Sequence, residues 1–282
     1  MKKLGFLIAI LALCIVGVAQ SSKSLATSEA EAAAEREDAA RSLPHSPDST
    51  TTCNWTFTSG TGNAYLQFCV TVNGNITEFQ TPLGHEHIAL GTIGEGYGVC
   101  NESPAIEYHD WAGFGDSGNW NAPSTVSVSS TSVTIKRTTS DGIWTLVQTI
   151  SQVAGNSEAK IAMKLTNNTS TARVAYLVRY ADISADGRFL NTLDSTHNSA
   201  GAWNTTGSTN PYGAMLQNFG TPQFGFWNGY AQNTFLPPNA CNFAGNYVGG
   251  PLTGTNGSVV VAYVGSVPAH STRIATMTYK GM

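Results

Sequence analysis

Residues 132–187 read SVTIKRTTSDGIWTLVQTISQVAGNSEAKIAMKLTNNTSTARVAYLVRYADISADG. Val133 and Ile135 alternate with Thr134 and Lys136, and after Asp141-Gly142 a run of β-branched and aromatic residues continues over 143–153. Gly155-Asn156 turns the chain again, and Ile161, Met163 and Leu165 alternate with Lys160 and Lys164. Asn167-Asn168-Thr169 makes a further turn before Val174, Tyr176, Val178 and Tyr180, which share one face. A period of two sends successive side chains to opposite faces of a strand. Connections this short cannot cross over to a parallel neighbour, so the stretch predicts an antiparallel meander.

The same grammar extends in both directions. Residues 64–72 alternate and are followed by Asn73-Gly74 and a second extended run over 75–80, the strongest short signal for a hairpin. Residues 81–121 predict short strands between Gly-rich bends, and 258–265 and 272–280 predict two final strands. Residues 195–257 lose the alternation and carry many aromatics among Gly, Asn, Gln and Pro, a composition of long ordered loops. Helical periodicity is nearly absent, so the predicted class is all-β: a large antiparallel β-sandwich, or two sandwich halves sharing a core, with long aromatic-, Gly- and Asn-rich loops.

Of the 282 residues, 41% are hydrophobic and 11% charged, enough apolar material for a large core. The net charge of -4, with 14 Lys and Arg in no run longer than two, argues against the clustered basic surface that a nucleic acid requires. Lys2 and Lys3, an apolar run over 4–18 and the small residues Gly17 and Ala19 read as a secretory signal peptide over 1–19. The run is too short for a membrane span with these flanks, so the mature chain is expected to be secreted, extracellular or periplasmic, in a bacterium. Residues 20–51 read as a disordered or weakly helical spacer: 27–43 is rich in Ala and Glu with almost no apolar face, and a Pro-containing linker follows. The folded domain is expected over 52–282.

An oxidising compartment decides how the cysteines are read. Cys14 leaves with the signal, and Cys53, Cys69, Cys100 and Cys241 remain, without the CxxC spacing of a zinc-thiolate site. Two disulfides are expected, with three connectivities open; one bridge is expected to tie Cys241 back to the N-terminal sheet.

Several groups are candidates for chemistry. Asp182-x-Ser184-x-Asp186-Gly187, with Asp194 beyond it, has oxygen ligands at alternate positions and a glycine at a sharp bend, the pattern that opens a calcium loop. Ca2+ is accordingly the candidate cofactor. His85 and His87, two apart on an extended chain, share a face and suit a transition metal. Among the acids of 85–110, Glu95 stands out because its Gly-rich flanks permit close approach of a ligand. With His87, His109 and Asp110 it would form the catalytic set of a polysaccharide-acting hydrolase or lyase. Nucleophile-elbow and Walker sequences are absent. Trp203, Tyr212, Phe224, Phe226, Trp227 and Tyr230, with Tyr97, offer flat faces beside amides, the chemistry that sugar recognition uses.

The strand, Asn-Asn-Thr turn and strand over 164–182, ending in Arg179-Tyr180-Ala181-Asp182, resemble a segment of large sandwich modules attached to bacterial carbohydrate-active enzymes. The segment carries no catalytic motif, and the resemblance implies no activity. The leading expectation is a non-catalytic protein binding glycan or another envelope component. Besides the enzyme reading, a self-assembling surface or matrix protein is the third class, since low charge and open strand edges suit assembly.

Overall fold

The computed structural model describes residues 26–42, 50–88, 94–204 and 211–282; the expected signal peptide lies outside them. The chain begins with α1 (Glu29–Ser42), β1 (Trp55–Ser59), β2 (Leu66–Val70), β3 (Ile76–Gln80), β4 (Glu95–Asn101), β5 (Ile106–Trp111) and β6 (Gly115–Asp116). It continues through β7 (Ser124–Val128), β8 (Ser132–Thr138), β9 (Trp144–Gln152), β10 (Glu158–Asn167), β11 (Arg173–Ala181) and β12 (Asn191–Thr196). The last elements are β13 (Ser199–Asn204), β14 (Tyr212–Asn218), β15 (Phe226–Gln232), β16 (Leu252–Thr255), β17 (Ser258–Val267) and β18 (Thr272–Gly281). A nine-stranded sheet has the order β16-β12-β13-β14-β18-β10-β9-β8-β7, a six-stranded sheet the order β15-β17-β11-β4-β5-β6, and β1-β2-β3 form a small third sheet. The strand pairings are antiparallel, and the fold is the all-β sandwich predicted from the sequence.

The stretch 132–187 departs from a simple meander. β8, β9 and β10 are neighbours, with Val133 opposite Ile150 and Ile161 opposite both Ile150 and Met277. β11 instead joins the other sheet, between β17 and β4. The crossing is made at Asn167, whose buried side-chain amide donates to the Thr171 and Val267 carbonyls at 2.7 and 3.0 Å while its Oδ1 accepts the Thr169 N–H at 3.0 Å. Turn length sets antiparallel direction but not the sheet, because packed sheets lie about 10 Å apart and a few residues span that gap.

Between the sheets, Leu146, Ile150, Ile161, Met163 and Leu165 face Leu177, Val259 and Val261 in one buried cluster. The opposite face of the six-stranded sheet is covered too: Val178, Tyr180, Val260, Ala262 and Trp111 lie beneath Phe235, Ala240 and Phe243. Two disulfides form, Cys53–Cys69 within the small sheet and Cys100–Cys241, which fastens that covering loop to β4 across 141 residues of sequence.

Two elements behave unlike their sequence type. The β2–β3 turn points into the molecule, with Asn73 and Asn75 buried; a Cβ at Gly74, where φ is +89°, would stand 2.6 Å from Gln148 Nε2. Helix α1, read as part of a spacer, is capped by Ser28 Oγ on the Glu31 N–H at 3.2 Å, while Glu31 accepts the Thr27 N–H at 2.7 Å. Its Ala32 and Arg36 are buried against the sandwich.

Candidate functional site

Alternation along β4 and β5 places the predicted catalytic residues on two faces of the six-stranded sheet. Glu95, Tyr97 and Asp110 point between the sheets, whereas Glu107, His109 and Trp111 point to the outer face. Glu95 and His109 therefore do not meet. The Glu95 carboxylate is fully buried, ion-paired with Arg179, and accepts the Tyr279 hydroxyl at 2.7 Å and the Ile76 N–H at 2.6 Å. Arg179 also donates to Gln148 Oε1 at 2.7 Å and to the Gly74 carbonyl at 3.1 Å. Asp110 shares Arg137 with Asp116 and accepts from Asn73 Nδ2 at 2.7 Å; burial pushes its pKa up to about 7. The glycines flanking Glu95 serve packing: a Cβ at Gly96 or Gly98 would strike the Trp111 ring. These charges hold the buried turn and the two sheets together, and Tyr97, in the same layer, packs edge-on against Trp120.

His85 and His87 lie in a turn after β3. Nε2–H of His87 donates to the Thr81 carbonyl at 2.7 Å and Nδ1 accepts the Asp186 N–H at 3.1 Å, so both ring nitrogens are already engaged. Burial lowers its pKa to about 4. His85 pairs with Asp186 at 2.8 Å and stacks on Tyr212 at 3.7 Å between ring centroids. The acids read as a calcium loop use their oxygens separately: Asp182 faces Arg36, Asp186 faces His85, and Asp194 accepts the Ser195 N–H at 2.8 Å; Ser184 is buried. Among the described residues, no group of three or more His, Cys, Asp or Glu side chains is arranged to hold a metal ion.

The aromatics of 203–230 are distributed rather than gathered. Trp203 and Tyr212 are half-buried on the nine-stranded sheet; Phe224 is buried against Tyr263; Phe226 is exposed on β15. Trp227 donates Nε1–H to Asn198 Oδ1 at 2.9 Å, and Tyr230 packs on Phe243 and Tyr247 under the covering loop.

A concave site does form on the outer face, at the edge made by β5 and β6 and roofed by residues 236–239. The cavity has a volume of about 460 Å³ and is lined by Glu107, His109, Trp111, Phe114, Asp116 and Ser117 together with Leu236, Pro237, Pro238 and Asn239. His109 stacks on Trp111, 5.5 Å between centroids and 14° between planes, with its Nδ1 3.1 Å from Glu107 Oε1. Glu107 also anchors the roof: it accepts the Asn239 side-chain amide and the Ala240 N–H, each at 2.6 Å. The Cys100–Cys241 bridge lies two residues further on. Of this set the sequence nominates His109 for a catalytic group and Glu107 among the acids of 85–110; the spacing Glu107-x-His109-x-Trp111 puts three side chains on one face, while Asp116 and the roof carry no local signal.

No protein-family model and no curated protein sequence matches the chain. Among solved structures it is similar to a bacterial glucoamylase complexed with acarbose, at a TM-score of 0.54 and 10% identity, over 85% of this chain and 34% of that one. A polysaccharide lyase superposes at 0.47 with 10% identity, over 79% of this chain and 33% of that one. A galactose mutarotase-related enzyme from Lactobacillus acidophilus follows at 0.39 with 5% identity, over 81% and 97%. The chain thus spans about a third of the glucoamylase and of the lyase. At such identity the first likeness shows a shared sandwich fold. No helix among the described residues is long and apolar enough to cross a membrane.

Proposed function

We propose that this chain is an exported, non-catalytic glycan-binding β-sandwich whose ligand occupies the cavity between β5, β6 and residues 236–239. The observation that carries this reading is the composition of that cavity. Trp111, Phe114, Leu236 and the two prolines supply apolar surface for the CH face of a sugar ring, and His109, Ser117 and Asn239 supply polar atoms at its margin. The volume lies within the range of roughly 300–1,000 Å³ typical of small-ligand sites. The glucoamylase that shares the fold is complexed with acarbose, which is consistent with a glycan partner. The two disulfides fit an oxidising, extracellular setting.

The test is a glycan array with the mature protein, followed by calorimetric titration of the best ligand. His109→Ala and Leu236→Glu are expected to weaken binding at least tenfold, about 1.4 kcal/mol, with the melting temperature preserved. An empty array, or an affinity lowered by Trp227→Ala but unchanged by His109→Ala, would remove the cavity as the site.

A further inference from the structure

Helix α1 docks almost without apolar contact. On its inward stripe alanines and three charged residues, Glu29, Glu35 and Arg36, meet the sandwich, Glu35 accepting from Asn256 Nδ2 at 3.2 Å. Glu29 accepts the backbone N–H groups of Phe189 and Leu190 at 2.9 and 3.2 Å. Arg36, at 3% exposure, enters a socket with the features that select a guanidinium. Its NH1 and NH2 form a fork on the two Asp182 oxygens, the second contact at 2.8 Å; its Nε and NH2 reach Asn256 Oδ1 at 3.0 and 2.7 Å. The plane is flanked by the rings of Phe189 and Phe235, 4.5 and 5.0 Å from the guanidinium carbon to the ring centroids.

We propose that Asp182, Asn256, Phe189 and Phe235 form a guanidinium-binding site, filled in the resting chain by Arg36 of α1, from which an arginine side chain of a partner peptide displaces the helix. Every element of the socket belongs to the sandwich, and the helix contributes the ligand. Asp182 and Asn256 are both buried beneath the helix, so a chain that loses α1 opens a deep acidic site with no cation in it. Two aromatic walls and a bidentate acceptor discriminate a planar fork from a lysine ammonium, which is a point charge. The helix itself carries no leucine- or valine-type stripe, so what its removal uncovers is chiefly the Phe189 and Phe235 rings, which an incoming guanidinium covers again.

Chemical rescue tests this in the full-length mature chain. Arg36→Ala should lower the melting temperature and speed proteolysis within 29–42. N-acetyl-arginine methylamide at millimolar concentration should then raise the melting temperature saturably, and N-acetyl-lysine methylamide should not. In the unsubstituted protein the same arginine probe should accelerate amide hydrogen exchange over 29–42, as displacement requires. Equal responses to the two probes, or no response in either protein, overturn the proposal. If Arg36→Ala does not fold, Arg36→Lys keeps the charge without the fork and carries the same comparison.

Discussion

Removing one partner of the Glu95–Arg179 pair leaves the other charge fully buried without its counter-ion. Arg179→Leu is expected to lower the unfolding free energy by about 3–5 kcal/mol in urea titrations, whereas Glu95→Leu with Arg179→Met should cost no more than the single change, because no net charge is stranded. His87 titrates in the opposite sense to an acid that gains a proton on folding. Its pKa is about 4 in the folded chain against 6.5 for an unperturbed histidine, so only the unfolded chain takes up a proton between those values. Stability from His87 is complete above pH 6.5 and falls as the pH drops towards 4, with a slope of at most about 1.4 kcal/mol per unit. Asp110 and Glu86, both pushed up to about 7 by burial, contribute the opposite slope over this window, so the His87 share is read as the difference in urea midpoints between the unsubstituted protein and His87→Gln, growing as the pH falls from 6.5 towards 4. Sequence spacing could nominate Glu95 and His87 by type and flanking glycines, but their partners decide their role. Arg179 is 84 residues away from Glu95, beyond any local pattern.

At the scale of elements, the covering loop over 233–247 is fastened near its cavity end by one covalent tie and one carboxylate, beside hydrogen bonds from Gln232 and Ser258 to its carbonyls. Cys241→Ser, or reduction of that bridge, is expected to cost about 2–5 kcal/mol in unfolding free energy. It should also weaken glycan binding several-fold, read by titration of the folded protein, because the roof of the cavity loses its preorganisation. An unchanged affinity after reduction would mean that Glu107 alone holds residues 239–240 in place. The strands of this region were legible from alternation, whereas α1 was legible only as a weak helix. Amphipathicity detects helices that bury leucine and valine; this one is held chiefly through the buried Arg36 guanidinium and the carboxylates of Glu29 and Glu35, contacts that leave no periodic apolar trace. The Asn73-Gly74 hairpin was legible as a turn, yet its burial was not, since a turn's residue preferences are the same whether its tip meets water or the Asp110 backbone.

Across the whole molecule, turn chemistry and a period of two carried the fold class, and both are local properties. Which sheet each strand joins is not local. β11 follows β10 by a short turn but takes its partners from β4 and β17, on opposite sides of it in the sequence. The six-stranded sheet is consequently assembled from segments far apart in the chain, and its two buried faces hide this from any reading of one strand at a time. The cavity inherits the same property, with its floor on β5 and β6 and its roof more than a hundred residues later.

The wide separation of Cys100 and Cys241 gives the fold a timetable. A chain made from its N-terminus presents Cys53 and Cys69 within 16 residues of each other, so that bridge can close early. Cys100 must then wait while a further 141 residues emerge, holding a free thiol beside the older pair. If Cys53 and Cys69 are still free when Cys100 appears, oxidation can trap Cys100 with either of them, and rescue from that state requires a thiolate to attack the wrong bridge. Correct pairing therefore depends on order: Cys53–Cys69 closing first leaves Cys100 with Cys241 as its remaining partner.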